Sequence, residues 1–320
     1  MKNNPVQSLE LSATECPICH TTDNAVELYP AKLSDDAFNP ETFSARRLPD
    51  RVHYRIVRCA SCGLVRSDPV ADPRIQAELY AKAGFDYGEQ VGNLRETYGR
   101  YLAKLAALGA RKGSLLEIGG GNGFVLEEAL AQGYAQVTGV EPSSAAIASA
   151  DPSIRPHMIC DLMRPGLFEA EQFDVVCMFQ TFDHITDPNA LLDECFRVLR
   201  PGGFLLCLNH NVEAPSARLL GERSPIVDVE HPFLYSPKTM ARVAEAHGFV
   251  VAESGPARNR VTVRYLAWLA PLPAGIKRRA LDWLKNVRIG RLTFSVPLGN
   301  LYFIARKPPA SIPSPARGGG

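Results

Sequence analysis

From residue 113 onward, short apolar runs alternate with segments whose apolar residues recur every three or four positions. That is the pattern of a mostly parallel sheet covered by helices on both faces. The runs SLLEIG (114–119), AQVTGVE (135–141), PHMIC (156–160), FDVVCMF (173–179), FLLCLNH (204–210), FVVAESG (249–255) and LYFIARK (301–307) predict seven strands. Helices are predicted over 123–132, 143–150, 188–199 and 237–247; Ser236 caps the last, Pro237 opens it and Gly248 ends it. Upstream, Ile75, Leu79, Tyr80, Leu94, Tyr98, Tyr101, Leu102, Leu105 and Leu108 predict a helical linker or lid over 76–112, broken by the loop AKAGFDYGE with its glycine hinges. Residues 1–75 are turn-rich and read as a module of their own. The main domain then spans 113–307 with an insertion at 256–300 that holds one helix near 275–287, and the tail 308–320 reads as disordered.

The segment LLEIGGGNGFVLEEAL places an apolar strand before a glycine cluster that opens a helix. Gly119, Gly121 and Gly123 let the backbone turn sharply and approach a ligand closely. Phe124 stands where a dinucleotide fingerprint would need glycine, so a pyrophosphate does not suit this turn. Glu117, beneath the turn, suits a cationic ligand; the aminopropyl and sulfonium groups of S-adenosylmethionine supply such charge.

With Glu117, Gly119, Gly121 and Gly123 in the form ExGxGxG, the chain resembles the class I methyltransferases. The resemblance implies an α/β fold, a doubly wound, seven-stranded, mostly parallel, Rossmann-like sheet, and S-adenosylmethionine as cofactor. It also implies an acid for the ribose hydroxyls at the end of the second strand, where Glu141 stands, and a polar residue near the adenine amino group, where Asp161 stands beside Leu162. After the fourth strand it implies a loop with an acid–His pair, matched by Gln180, Asp183 and His184. A leucine–basic–proline–glycine–glycine turn before the fifth strand is matched by RVLRPGGFLLCL. LYFIARK is then the final, antiparallel strand. Acids ending two successive strands lie at the ligand crevice of open α/β sheets, which a ligand-free structural turn would not require.

Composition adds a second feature. The chain has 320 residues, 46% of them hydrophobic, with 35 basic and 34 acidic side chains, so no global field favours a polyanion. Without the apolar core of a signal peptide, and with no run of the roughly 20 apolar residues that cross a bilayer, a cytoplasmic protein is expected. In that compartment the eight cysteines suit metal or core positions better than disulfides. Cys16 and Cys19 form CPIC, Cys59 and Cys62 form CASCG, and four thiolates close a tetrahedral zinc site that is structural because no position stays open for water. The 39 residues between the knuckles read as a hairpin ending in HYRIVRC, His20 as a bystander, and Cys160, Cys177, Cys195 and Cys207 as core.

Methyl transfer from a sulfonium is an in-line displacement, and a general base is needed when the acceptor is a hydroxyl, a protonated amine or a carbon acid. His184 is the first candidate, followed by His210 in NHN and His231 in VDVEHPFLYS; Asn209 and Tyr235 are placed to orient a polar substrate. In the insertion, Trp268, Trp283, Lys277, Arg278 and Arg279 admit a substrate lid, a homodimer contact or a membrane surface. The CPxC…CxxCG module beside such a domain resembles bacterial enzymes of surface-polysaccharide and secondary-metabolite pathways. Relatives of the deoxysugar C-methyltransferases are among them, but those carry a further C-terminal domain that this chain is too short to contain. O- or C-methylation of a small polar metabolite, sugar or glycan is the expectation. One alternative is an rRNA or tRNA methyltransferase, with Arg46, Arg47, Arg51, Arg55, Arg58 and Arg66 lining one face, although no NPPY-type motif follows the fourth strand. The other is a non-catalytic binding protein that keeps the cofactor fold.

Overall fold

The computed structural model describes residues 11–33, 51–82, 91–270 and 272–309. Arg46 and Arg47, with the rest of 34–50 between the cysteine knuckles, residues 83–90 of the glycine-hinged loop, and the tail from 310 lie outside the described residues. The chain begins with short strands β1 (Leu11–Ser12), β2 (Ala25–Tyr29), β3 (Ile56–Cys59), β4 (Val65–Ser67) and β5 (Val70–Ala71), then helices α1 (Pro73–Lys82) and α2 (Val91–Ala107). The alternating part follows as β6 (Ser114–Ile118), α3 (Phe124–Ala131), β7 (Gln136–Val140), α4 (Ser144–Ala148), β8 (Met158–Ile159) and β9 (Phe173–Phe179). Next come α5 (Pro188–Val198), β10 (Leu199–His210), α6 (Pro215–Leu220), β11 (Phe233–Leu234), α7 (Pro237–Ala246) and β12 (Val250–Thr262). The last elements are α8 (Val263–Leu269), α9 (Ala274–Asn286) and β13 (Thr293–Arg306).

Seven strands form one sheet in the order β12-β13-β10-β9-β6-β7-β8, parallel except where β13 runs against both β10 and β12. Every residue of β6 and of β9 is buried, which explains why these strands are unbroken apolar runs rather than alternating ones. The chain crosses from β6 outward to β7 and β8 on one side, and returns through β9 to β10 on the other. The crevice at that reversal is where an open α/β sheet holds its ligand. At the opposite end of the sheet, buried Asp174 accepts hydrogen bonds from the backbone N–H of Ser114 and from Arg200, tying β6 to β9 and β10. Helix α7 begins with a full capping box between Ser236 and Thr239, with Pro237 at its first turn, and Gly248 follows with φ +83°.

Two expectations need correction. The insertion at 256–300 is more than a single helix: β12 and β13 run on past the sheet as an antiparallel arm, paired from Asn259 to Thr262 against Thr293 to Val296, and carry α8 as well as α9 at the tip. Local alternation in RNRVTV is weak, and only the long-range partner makes it a strand. Cys160, expected in the core, is exposed, because β8 is only two residues long and the chain has already left the sheet.

Strands β2, β3 and β4 form a second sheet whose fourth strand is β11, from residues 233–234. Further bonds fix the same join: Ser67 donates its N–H to Pro232 and its hydroxyl to His231, and Val229 donates to Val52. The cysteine-bearing segment is thereby continuous with the loop that carries His231. Arg66, a candidate for an RNA-facing surface, is fully buried instead and spends its guanidinium on the carbonyls of Thr14 and Thr22, while Arg55 pairs with Asp68.

Candidate functional site

One cleft of about 790 Å³ runs along the carboxyl edge of the large sheet and gathers most of the residues singled out above. At one end, β6 stops at Ile118 and the backbone turns through Gly119 (φ +76°), Gly121 (φ +52°) and Gly123 (φ +75°) into α3. These angles lie in the left-handed region that favours glycine. Space makes the same demand: a Cβ on Gly119 would stand 2.4 Å from the Thr181 hydroxyl, and one on Gly123 would stand 2.6 Å from Ile154. Gly119 and Gly121 line the cleft; Gly123 and Glu117 sit behind it.

Glu141, at the end of β7, accepts the Gly121 N–H at 2.9 Å on one carboxylate oxygen and the Ser143 N–H at 2.8 Å on the other. Burial raises its pKa above the usual carboxylate range, and those two N–H bonds pull against the rise. Glu117 is almost wholly buried, and one of its oxygens has no hydrogen-bond partner. Burial, reinforced by Glu141, pushes its pKa well up. Asp161 accepts the N–H of half-exposed Leu162 and pairs with Arg164 at 3.0 Å; that bond holds its pKa down. Gln180 follows β9 with φ +55°, its N–H on the Leu208 carbonyl and its side-chain oxygen buried without a donor.

The other end of the cleft is a cluster of three imidazoles around one carboxylate. Asp183 sits on a single 3₁₀ turn (Phe182–His184) and is fully buried. One of its oxygens accepts both the ring Nδ1–H of His210, at 2.7 Å, and the backbone N–H of His210, at 3.1 Å. Burial would raise the Asp183 pKa, but the charge and hydrogen bond of His210 outweigh it and hold the carboxyl well below its ordinary value. His184 shares a 2.7 Å hydrogen bond through Nδ1 with the Tyr80 hydroxyl of α1, and its ring lies 4.6 Å from that of His231. The His231 ring is 4.7 Å from that of His210. Burial lowers the pKa of His184 and, aided by the two neighbouring imidazoles, lowers that of His231 much further, so His231 stays neutral. All three histidines line the cleft; Asn209 and Tyr235 are buried beneath it. Tyr80 is the member that periodicity hid, because it reads only as an apolar position of α1. Asp183 was visible as the acid of an acid–His pair, but its hydrogen-bond partner is His210, while the Nε2 of adjacent His184 stands 4.0 Å from its other oxygen.

Away from the cleft, Cys16, Cys19, Cys59 and Cys62 bring their sulfurs within 4.8 Å of one another. The Cys16–Cys62 and Cys19–Cys59 separations are 3.5 and 3.7 Å. Sulfurs at the corners of a tetrahedron around zinc, each about 2.3 Å from the metal, lie roughly 3.8 Å apart, so the set fits such an ion. Burial works against ionisation of Cys59, yet backbone N–H groups of Cys62 and Ser61 and the neighbouring thiols bring its pKa down to about 6. His20 is exposed, bonded to Glu15 and outside the cluster.

Residues 91–254 match the family model described as a methyltransferase domain, and the chain belongs to that family. Its fold is that of the S-adenosylmethionine-dependent methyltransferases. The chain is 28% identical over 183 residues to the ubiquinone biosynthesis O-methyltransferase of Psychrobacter arcticus, a match covering 52% of this chain and 70% of that protein. It is 34% identical over 115 residues to the enzyme of the same name from Pseudomonas fluorescens, covering 33% of this chain and 49% of that one. Among solved structures, a SAM-dependent methyltransferase from Aquifex aeolicus aligns over 69% of this chain and 94% of its own at 14% identity, with a TM-score of 0.44. No helix among the described residues is long and apolar enough to cross a membrane.

Proposed function

We propose that the chain methylates a hydroxyl of a small polar molecule, a metabolite, sugar or glycan, with His210 as the general base. The observation that carries this reading is the pairing of buried Asp183 with His210, whose ring is partly exposed to the cleft. Because Asp183 accepts a hydrogen bond from the Nδ1–H of His210, the Nε2 lone pair is left for a substrate proton, and the carboxylate stabilises the imidazolium that forms. An acceptor that must lose a proton is what such a pair serves, and the similar proteins carry O-methyltransferase names. His184, anchored to Tyr80, and neutral His231 line the same end and orient the acceptor.

S-adenosylmethionine supplies the electrophilic methyl on its sulfonium. Glu141 accepts from the ribose hydroxyls through lone pairs that Gly121 and Ser143 leave unused, and Asp161 with Leu162 borders the adenine. Gly119 and Gly121 admit the amino-acid portion, above Glu117 and Gly123. The unpaired oxygens of Glu117 and Gln180 are costly alone, and a ligand bearing ammonium and sulfonium charge offsets that cost. Holding the acceptor oxygen in line with the methyl provides much of the acceleration. The cysteine cluster holds one structural zinc in the module 1–75, and through β4 and β11 that metal fixes the loop bearing His231.

Incubation with radiolabelled S-adenosylmethionine and fractionated extract tests the reaction. Label should enter small molecules or glycan as an ether; label confined to RNA, or no cofactor binding, would refute it. Metal analysis should give about one zinc per chain, lost in Cys59→Ser together with much of the thermal stability.

A further inference from the structure

The insertion carries a surface that the methyl-transfer reading does not use. Between Ala274 and Thr293 there are six basic residues and a single acid, Asp282. None of the six pairs with a carboxylate among the described residues, and all but Lys277 are exposed. Interleaved with them, large apolar side chains face outward: Ile276 and Trp283 are each 58% exposed, and Ile289, Leu292 and Phe294 are exposed by half or more. On α9, Ile276, Arg279 and Trp283 fall one above the other at spacings of three and four, while Leu284 is buried on the inner side. Exposed apolar groups scattered singly need no explanation, but five within 19 residues, interleaved with cations that meet no carboxylate among the described residues, do.

We infer that this face docks on an anionic lipid surface, with Trp283 and the aliphatic side chains entering the headgroup region and the arginines meeting lipid phosphates. Cation-rich helices with tryptophan and aliphatic residues bind that way, in the plane of the interface rather than across it. A second copy of the chain is a poor occupant, because a twofold contact would set six cations against six. RNA would answer the charge but has no use for Ile276, Ile289 and Leu292. The same insertion contributes Tyr265 and Trp268 of α8 to the wall of the cleft, so docking here would bring the cleft beside the membrane.

The full chain should co-sediment with vesicles of phosphatidylcholine mixed with phosphatidylglycerol, and not with phosphatidylcholine alone. Arg278→Glu combined with Arg279→Glu should weaken that partitioning by about tenfold or more while S-adenosylmethionine binding stays intact as the control for folding. Trp268→Phe leaves Trp283 as the only tryptophan, and its emission should shift to shorter wavelength on anionic vesicles. Failure to bind them, binding without a Trp283 shift, a dimer that buries the patch, or RNA binding that is lost with the same arginines would each overturn the inference.

Discussion

The two ends of the cleft are built in opposite ways. The glycine end is local: Glu117, Gly119, Gly121 and Gly123 lie within seven consecutive residues, and Glu141 arrives from the neighbouring strand. The histidine end is assembled from four distant places, with Tyr80 on α1, Asp183 and His184 after β9, His210 at the end of β10 and His231 before β11. A local site can be kept while the rest of a chain varies, whereas a dispersed one depends on the whole frame, including the sheet that holds the cysteines. On the proposed reading the glycine end holds the cofactor and the histidine end the acceptor.

Substitutions should separate the two ends. The largest effect is expected at Asp183→Asn, which keeps the shape but releases the tautomer of His210. Turnover should fall by about 100- to 10,000-fold, while the dissociation constant for S-adenosylmethionine, measured by calorimetry, changes little. A variant that turns over normally would remove His210 from the role of base. A smaller effect in the other sense is expected at Glu141→Ala. Water replaces in part the hydrogen bonds that the carboxylate would accept from the ribose hydroxyls, leaving a loss of about 1.5–3 kcal/mol in all. Cofactor affinity should drop by about 10- to 100-fold, with the acceptor end unaffected. Unchanged affinity would mean that Glu141 only braces the glycine turn.

Legibility in the sequence follows the same division. Strands β6, β7 and β9 and helices α3, α5 and α7 were readable because apolar periodicity and capping residues act over a few positions, as Ser236, Pro237 and Gly248 show. The ExGxGxG turn and the two cysteine knuckles were readable for the same reason. The extended arm, the contribution of β11 to the second sheet and the partnership of Asp183 with His210 were not, since each depends on residues tens of positions apart. Arg66 shows the limit most clearly. As a charged residue beside a cysteine knuckle it reads as surface, and only the carbonyls of Thr14 and Thr22 make its burial tolerable.

The smallest expected effect concerns the pH dependence of stability, and it tests whether the histidine end is as closed as its geometry indicates. His184 and His231 have pKa values lowered by burial, so in the folded chain they bind fewer protons than when unfolded. Stability then falls as pH drops below about 6.5, the ordinary imidazole value, with a slope of up to about 1.4 kcal/mol per pH unit for each group. Glu117 and Glu141, with raised pKa values, act in the reverse sense: their contribution is present at low pH and is lost as pH rises through their folded values. The net curve mixes both ends of the cleft, and a single variant separates them. His231→Gln cannot take up a proton in either state, so denaturant unfolding of the cofactor-free chain between pH 6.5 and 5 should lose one histidine's share of the slope. If the slopes of the variant and the parent coincide, His231 titrates as it would in water. The acceptor end would then be open to solvent, and the contrast between a closed, dispersed site and a local one would have to be redrawn.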